Sequence, residues 1–287
     1  MNVFKIEKDL SRLSARIEQK KLGEYAGKDQ VISASQMLVQ LQSQPASIIK
    51  LKSFIESLDK YIHYFAEGEL IAISGPTKSG KTLLAQTLTQ SFMRQQYYPL
   101  WFSYEVPPRQ FLSQFKDPPM IFMPSRLKAH ALDWFEDRVL ESFAKYRTRV
   151  IFIDHLHFLV DLARLRNPSL EIGQVIRRLK SLAVEGEFII FLLCHTKMGA
   201  SEDRLSYESI RDSSFISQES DSVFMIKRTP KDGILTARLT VEFHRRTGVL
   251  EQVVYLVKAG DKLGECSQVE EGLRDGRRNG KERAAGD

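Results

Sequence analysis

The sequence has 287 residues, of which 43% are hydrophobic and 27% charged, an ordinary composition for a globular protein with one large domain and appendages. No apolar run approaches the roughly 20 residues of a membrane helix, and the charged start is unlike a secretory signal. Two cysteines, Cys194 and Cys266, and a net charge of +6 predict a cytoplasmic protein without a membrane partner, for which a polyanionic partner is allowed but not required.

The N-terminal region has a helical apolar pattern. Within residues 1–22, apolar side chains recur at spacings of three and four, which predicts a helix with a narrow apolar stripe. Such a stripe suits packing either on a neighbouring subunit or on its own domain. Two further helical patterns cover 34–43 and 48–62. We therefore expect a helical N-terminal extension over residues 1–51.

A glycine-rich loop follows the apolar strand 70–74. The loop and the residues that begin the next helix are Gly75, Pro76, Thr77, Lys78, Ser79, Gly80, Lys81 and Thr82. This is the P-loop pattern in its strand–loop–helix context, in which backbone N–H groups face a phosphate chain. Lys81 can reach the outer phosphates and the Thr82 hydroxyl can bind Mg²⁺. ATP and Mg²⁺ are the predicted cofactors.

Beyond the P-loop, strand and helix patterns alternate, which predicts an α/β fold with a mainly parallel sheet between helices. The predicted strands are 70–74, 99–103, 120–123, 149–153, 188–194, 222–227, 234–243 and 252–257, and the predicted helices are 80–95, 130–146 and 170–185. The last strands follow one another without helices, so we expect an antiparallel extension. Residues 261–287 are polar, with balanced charges, and are predicted to be a disordered tail.

Three polar residues at strand ends complete a candidate ATPase site. Asp154 ends an apolar strand, as a Mg²⁺-binding Walker B aspartate does. Glu105 follows strand 99–103, which we expect beside the P-loop strand, and could polarise the attacking water. His195 ends strand 188–194 and could sense the γ-phosphate. From the residues alone, a solvated glutamate and a structural histidine remain open alternatives.

These segments together resemble the RecA-like motor domain of DnaB-type replicative helicases over residues 52–258. The resemblance begins in Ser53–Asp59 and Glu67–Ile71 and continues in Phe102–Glu105, Ile176–Ala183 and Cys194–Lys197. It implies a RecA-like P-loop NTPase fold over residues 52–260. It also implies catalytic roles for Lys81, Glu105 and His195.

The most specific part of the resemblance is the segment 210–228. In the family, this segment carries a DNA-contacting loop, a glutamine, an acidic patch and a strand. The resemblance implies contacts with single-stranded DNA from Arg211, Asp212 and Ser214, and the preceding Lys197 and Arg204 could add sequence-independent attraction.

His244–Gly248 falls where the family carries its arginine finger. Arg246 matches the arginine that reaches a neighbour's γ-phosphate, which implies a homo-oligomeric ring, predicted as a hexamer. Bacterial members often carry lysine at the position of His244, so we expect a weaker, pH-dependent cation there.

We therefore expect an ATP-driven helicase or translocase motor on single-stranded DNA, with a loader or primase as a further partner class. The alternative is a RecA-like ATPase switch or assembly factor, as in KaiC-like proteins, that does not unwind DNA. A small-molecule P-loop kinase is disfavoured because no arginine-rich lid segment follows the core.

Overall fold

The computed structural model describes residues 27, 30–43, 48–117, 119–160, 168–196, 210, 213–231 and 234–265. The chain divides into two compact units, Met1–Ser47 and Ile48–Asp287. In the first unit, helix α1 spans Ala34–Ser43, as the sequence predicts, and has no buried residue. The predicted helix over residues 1–22 and the tail from residue 266 lie outside the described residues.

The second unit contains an eight-stranded sheet. In chain order, its helices are α2 (Glu56–Ile62), α3 (Lys81–Arg94), α4 (Pro108–Leu112), α5 (Leu132–Tyr146), α6 (Pro168–Gly186) and α7 (Ser213–Glu219). A small antiparallel pair consists of β1 (Lys50–Leu51) and β2 (Phe65–Ala66). The large sheet contains β3 (Leu70–Gly75), β4 (Leu100–Ser103), β5 (Val150–Asp154), β6 (Ile189–His195), β7 (Ser222–Lys231), β8 (Ile234–His244), β9 (Val249–Ala259) and β10 (Lys262–Glu265).

The strand order is β10-β9-β8-β7-β3-β6-β5-β4. Strands β4, β5, β6, β3 and β7 run parallel, and β8, β9 and β10 extend the sheet in antiparallel fashion. This confirms the predicted mainly parallel sheet with an antiparallel extension. Because all parallel strands share one direction, their C-terminal ends lie at the same sheet edge, which we call the upper edge. The opposite edge is the lower edge.

The sheet separates two hydrophobic layers. Successive strand residues point to opposite faces, so that Ile71 and Ile73 of β3 join one core while Leu70 and Ala72 join the other. Helix α3 packs Leu84, Leu88 and Phe92 into the first core. Helices α5 and α6 contribute to the second core. Covering both faces in this way is what a parallel sheet of nearly continuous apolar strands requires.

Three sequence predictions need correction. Strand 99–103 was expected beside the P-loop strand, but β6 and β5 separate β4 from β3. The predicted strand 120–123 is reduced to a single bridge between Phe122 and Leu100. The predicted tail begins too early, because Lys262–Glu265 form strand β10 on the sheet. Among the described helices, none is long and apolar enough to cross a membrane.

Candidate functional site

The upper edge of the sheet brings together five of the residues predicted from sequence: Lys81, Thr82, Glu105, Asp154 and His195. Gly75 at the end of β3 is in register with His195 at the end of β6. Asp154 at the end of β5 is in register with Ser103 on β4, two residues before Glu105. Adjacent parallel strands therefore place the P-loop, the two carboxylates and the histidine along one edge, where open α/β sheets bind ligands.

The P-loop is folded around its own lysine. Lys81 is buried, and its Nζ donates hydrogen bonds to the carbonyl oxygens of Gly75 at 2.8 Å and Pro76 at 2.9 Å. Burial lowers the pKa of Lys81, while the carboxylates of Glu105 and Asp154 oppose that effect. The ammonium group is thus held at the start of the loop, next to both acids.

Glycine is required at position 75 because the neighbouring strand approaches closely. A Cβ atom there would lie 2.1 Å from the carbonyl oxygen of Ile226 on β7 and 2.8 Å from Oγ of Ser79. Gly80 precedes α3 with a left-handed φ of +104°, and the first turn of α3 contains no acidic residue. The first turn of a helix presents unpaired N–H groups and a positive dipole end, so this geometry favours an anion.

Thr82 and Asp154 form the part of the site that fits Mg²⁺. The Thr82 hydroxyl donates a hydrogen bond of 2.9 Å to Oδ2 of Asp154. The other carboxylate oxygen, Oδ1, is buried and has no hydrogen-bond partner among the described residues, and the same is true of Oγ of Ser79. Burial raises the pKa of Asp154 to about 6, and the nearby Glu105 adds to this effect. Unsatisfied buried oxygens of this kind suit a hard cation and its phosphate ligand.

Glu105 lies beside two histidines at the same edge. Its Oε2 is 3.8 Å from Nδ1 of His155, and the rings of His155 and His195 have centroids 4.4 Å apart. The Glu105 side chain is 41% exposed, whereas that of His155 is only 13% exposed, so the carboxylate can reach solvent. The sequence interpretation missed His155, although the histidine directly after Asp154 was an available signal.

A known helicase domain matches the part of the chain that follows the P-loop. Residues 119–255 match the family model of the DnaB-like helicase C-terminal domain. The chain carries a DnaB-like helicase C-terminal domain. The matched range includes Asp154, His195 and Arg246, while the P-loop and Glu105 precede it. Domains of this family belong to NTP-hydrolysing helicases.

Solved structures agree on the fold. The isolated ATPase domain of one replicative helicase superposes with a TM-score of 0.68 at 16% identity, covering 82% of this chain and 99% of the other. A DnaB-like replicative helicase, solved in a study of its interactions with primase, gives a TM-score of 0.66 at 14% identity, with 91% of this chain and 73% of the other covered. At these identities the likeness establishes the RecA-like fold. None of the curated protein sequences matches the chain.

Arg246 of the DnaB-like domain lies at the lower edge. It occupies the turn between β8 and β9, in which Gly248 adopts a left-handed φ of +70°. Its Nε donates a hydrogen bond of 2.9 Å to Oε1 of the buried Glu69, directly before β3. Because each strand residue adds about 3.3 Å, the six residues of β3 separate this edge from the P-loop by about 16 Å.

Several other contacts hold Arg246 in place. Its Nη2 donates hydrogen bonds to the carbonyl oxygens of Ile62 at 3.2 Å and of Tyr64, and its guanidinium lies 4.1 Å from the centroid of the Tyr64 ring. The neighbouring Arg245 is more exposed and donates a hydrogen bond to the carbonyl oxygen of Gln218. The described contacts of Arg246 are therefore all with the lower edge of its own subunit.

His244 does not provide a second cation at neutral pH. It is buried, and its Nδ1 lies 2.8 Å from the Thr247 hydroxyl. Burial, helped by the charge of Arg246, lowers the pKa of His244 to about 4. The sequence prediction of a pH-dependent cation is thus moved to acidic conditions, and at pH 7 the side chain is neutral.

The predicted DNA-contacting residues could not be placed in the same way. Lys197, Arg204, Arg211 and Asp212 lie outside the described residues, and Ser214 is described only as part of the backbone of α7. Their roles stay predictions from the sequence. The described Thr196 and Ile210 form an isolated antiparallel bridge, so the two ends of the predicted DNA loop are held next to each other after β6.

Proposed function

We propose that this chain is an ATP-dependent motor that moves along or unwinds single-stranded DNA as a ring, with ATP hydrolysed between subunits. The observation that carries the proposal is the convergence of Lys81, Thr82, Asp154, Glu105 and His195 at one sheet edge of a DnaB-like domain. A P-loop alone would support only nucleotide binding.

Each residue at this edge has a proposed role. Lys81 and the amides of the P-loop bind the phosphates, and Thr82 and Asp154 hold Mg²⁺. The cation supplies charge neutralisation at the phosphate oxygens. Glu105, exposed beside Asp154, orients and deprotonates the attacking water, and His195 detects the terminal phosphate.

Arg246 is proposed to act on a neighbouring subunit. It sits about 16 Å from the P-loop, on the other side of a six-residue strand, so it is too distant to serve the nucleotide of its own subunit. An arginine that completes a site in trans neutralises charge in the transition state and is worth about 10³–10⁵-fold in rate. In a ring, Arg246 has to exchange its contact with Glu69 for the neighbour's phosphate.

The first experiment measures steady-state ATP hydrolysis with and without single-stranded DNA. We expect DNA to stimulate wild-type hydrolysis, Arg211→Ala to remove the stimulation, and Glu105→Gln to lower the rate by about 10²–10⁴-fold. Glu185→Gln, on the exposed surface of α6, is the matched control and keeps the wild-type rate. If DNA neither binds nor stimulates, the motor function is refuted and the ATPase-switch alternative replaces it.

The second experiment mixes two inactive variants. Lys81→Ala lacks a working P-loop but supplies Arg246, whereas Arg246→Ala lacks the arginine but retains the P-loop. If Arg246 acts in trans, mixed assemblies regain hydrolysis that neither variant shows alone. Arg245→Ala is the control for the arginine and should remain active. Absence of any regained activity in assemblies shown to contain both variants would exclude the trans role.

A further inference from the structure

Glu105, His155 and His195 form a cluster that has not been used in full by the proposed hydrolysis. Each of them offers one ligand atom, and these three atoms lie within 4.8 Å of one another. They come from the ends of β4, β5 and β6, which are adjacent in the sheet. Backbone pairing therefore sets their positions.

We propose that this cluster binds one transition-metal ion of borderline softness, such as Zn²⁺ or Co²⁺, when no nucleotide is bound. The site is separate from the proposed Mg²⁺ ligands Thr82 and Asp154. It uses two imidazole nitrogens and one carboxylate oxygen and leaves the fourth position to water.

The distances allow such an ion. Three atoms at most 4.8 Å apart share a point no more than about 2.8 Å from each, because 4.8 Å divided by √3 is about 2.8 Å. Bonds from Zn²⁺ to histidine nitrogen or carboxylate oxygen are about 2.0–2.2 Å, so each ligand atom has to move inward by less than about 1 Å. Glu105 can make this movement because its side chain is 41% exposed.

The chemistry of the ligands selects the metal. Mg²⁺ prefers oxygen ligands and retains its waters, whereas imidazole suits Zn²⁺, Co²⁺ and Ni²⁺. Burial and the nearby imidazoles of His195 and His157 lower the pKa of His155 to about 3, so this side chain is neutral at pH 7, as a metal ligand must be. Nδ1 of His155 is buried without a hydrogen-bond partner among the described residues, and a cation would satisfy it.

Metal binding has a consequence for hydrolysis. A carboxylate that coordinates Zn²⁺ is no longer available to a water molecule, so the ion inhibits the enzyme. This inhibition rests on the role proposed for Glu105, but the binding itself does not.

The test uses the untagged, nucleotide-free full chain after removal of metals. Zn²⁺ binding is measured by titration calorimetry, and Co²⁺ binding by visible absorption, which reports a tetrahedral site. We expect one ion per chain, and a loss of affinity of about tenfold or more in His155→Ala and in Glu105→Gln. His157→Ala, which removes a nearby imidazole that is not a member of the cluster, is the control and should keep the affinity within about twofold.

Unchanged affinity in both cluster variants, or no Zn²⁺ binding by the wild-type chain, would overturn the proposal. Circular dichroism checks that His155→Ala is folded. If it is not, Glu105→Gln decides, because glutamine has nearly the shape of glutamate. If Zn²⁺ binds as expected but does not inhibit hydrolysis, the metal site stands and the role of Glu105 in the proposed function fails.

Discussion

The pair of Glu69 and Arg246 allows a quantitative test of how the arginine is held. In Arg246→Ala, the buried carboxylate of Glu69 loses its partner, and the two backbone carbonyls and the Tyr64 ring lose theirs. Breaking a fully buried ion pair costs about 3–5 kcal/mol. Because 29% of the Arg246 side chain is exposed, we expect a loss of about 3 kcal/mol in the free energy of unfolding.

The opposite substitution should cost less. Burial raises the pKa of Glu69 despite the hydrogen bonds from Ala66 and Arg246, so the paired carboxylate is still costly to bury. Glu69→Gln removes that charge and keeps an oxygen acceptor, and we expect a loss of about 1 kcal/mol. The double variant should then show a coupling energy of about 1–2 kcal/mol.

Urea unfolding of the monomer at low protein concentration measures all three variants. Arg245→Ala is the control, because Arg245 is 55% exposed and its nearest approach to Asp221 is 3.9 Å. Exposed pairs contribute about 0–1 kcal/mol. If Arg246→Ala costs no more than Arg245→Ala, or if the coupling energy is close to zero, Arg246 is not held as the structure describes.

Three further results are expected. Gly75→Ala should destabilise the fold by about 1–3 kcal/mol in thermal unfolding, because its Cβ would lie 2.1 Å from a backbone oxygen of β7, whereas Gly264→Ala, with open space around it, should be nearly neutral. Since the pKa of Asp154 is raised to about 6, protons should compete with Mg²⁺, and affinity for Mg²⁺–nucleotide should fall by about tenfold per pH unit below 6, measured against metal-free nucleotide; a pH-independent affinity would contradict the assignment of Asp154. The pKa of His244 is about 4 against about 6.5 in an unfolded chain, so protons bind the unfolded state first as the pH falls from 6.5 to 4; the free energy of unfolding should drop by about 2 kcal/mol at pH 5 relative to pH 7.5, and His244→Gln should remove that part of the loss.

Local patterns predicted most elements of the sheet. The strand at 70–74, the helix at 80–95 and the strand at 149–153 each differ from the observed element by at most one residue at either end. Apolar runs and helical periodicity depend on nearest neighbours in the chain, and they survive folding because both faces of this sheet are covered.

The neighbours of each strand could not be predicted in this way. Whether β4 lies beside β3 depends on how the connecting helices cross the sheet, and no local pattern encodes that choice. The same limit explains why the sequence indicated Glu105 and His195 separately but not His155 between them. It also explains why the Glu69 partner of Arg246, 177 positions away, was not anticipated.

The placement of the P-loop and Arg246 at opposite edges has a consequence for assembly. Two copies related by a twofold axis present the same surface to each other, so a surface that contains only one of the two edges cannot join a P-loop to an arginine. The proposed exchange therefore needs head-to-tail contacts. A linear row of such contacts always ends in one nucleotide site without its arginine, and only closure into a circle gives every subunit a complete site.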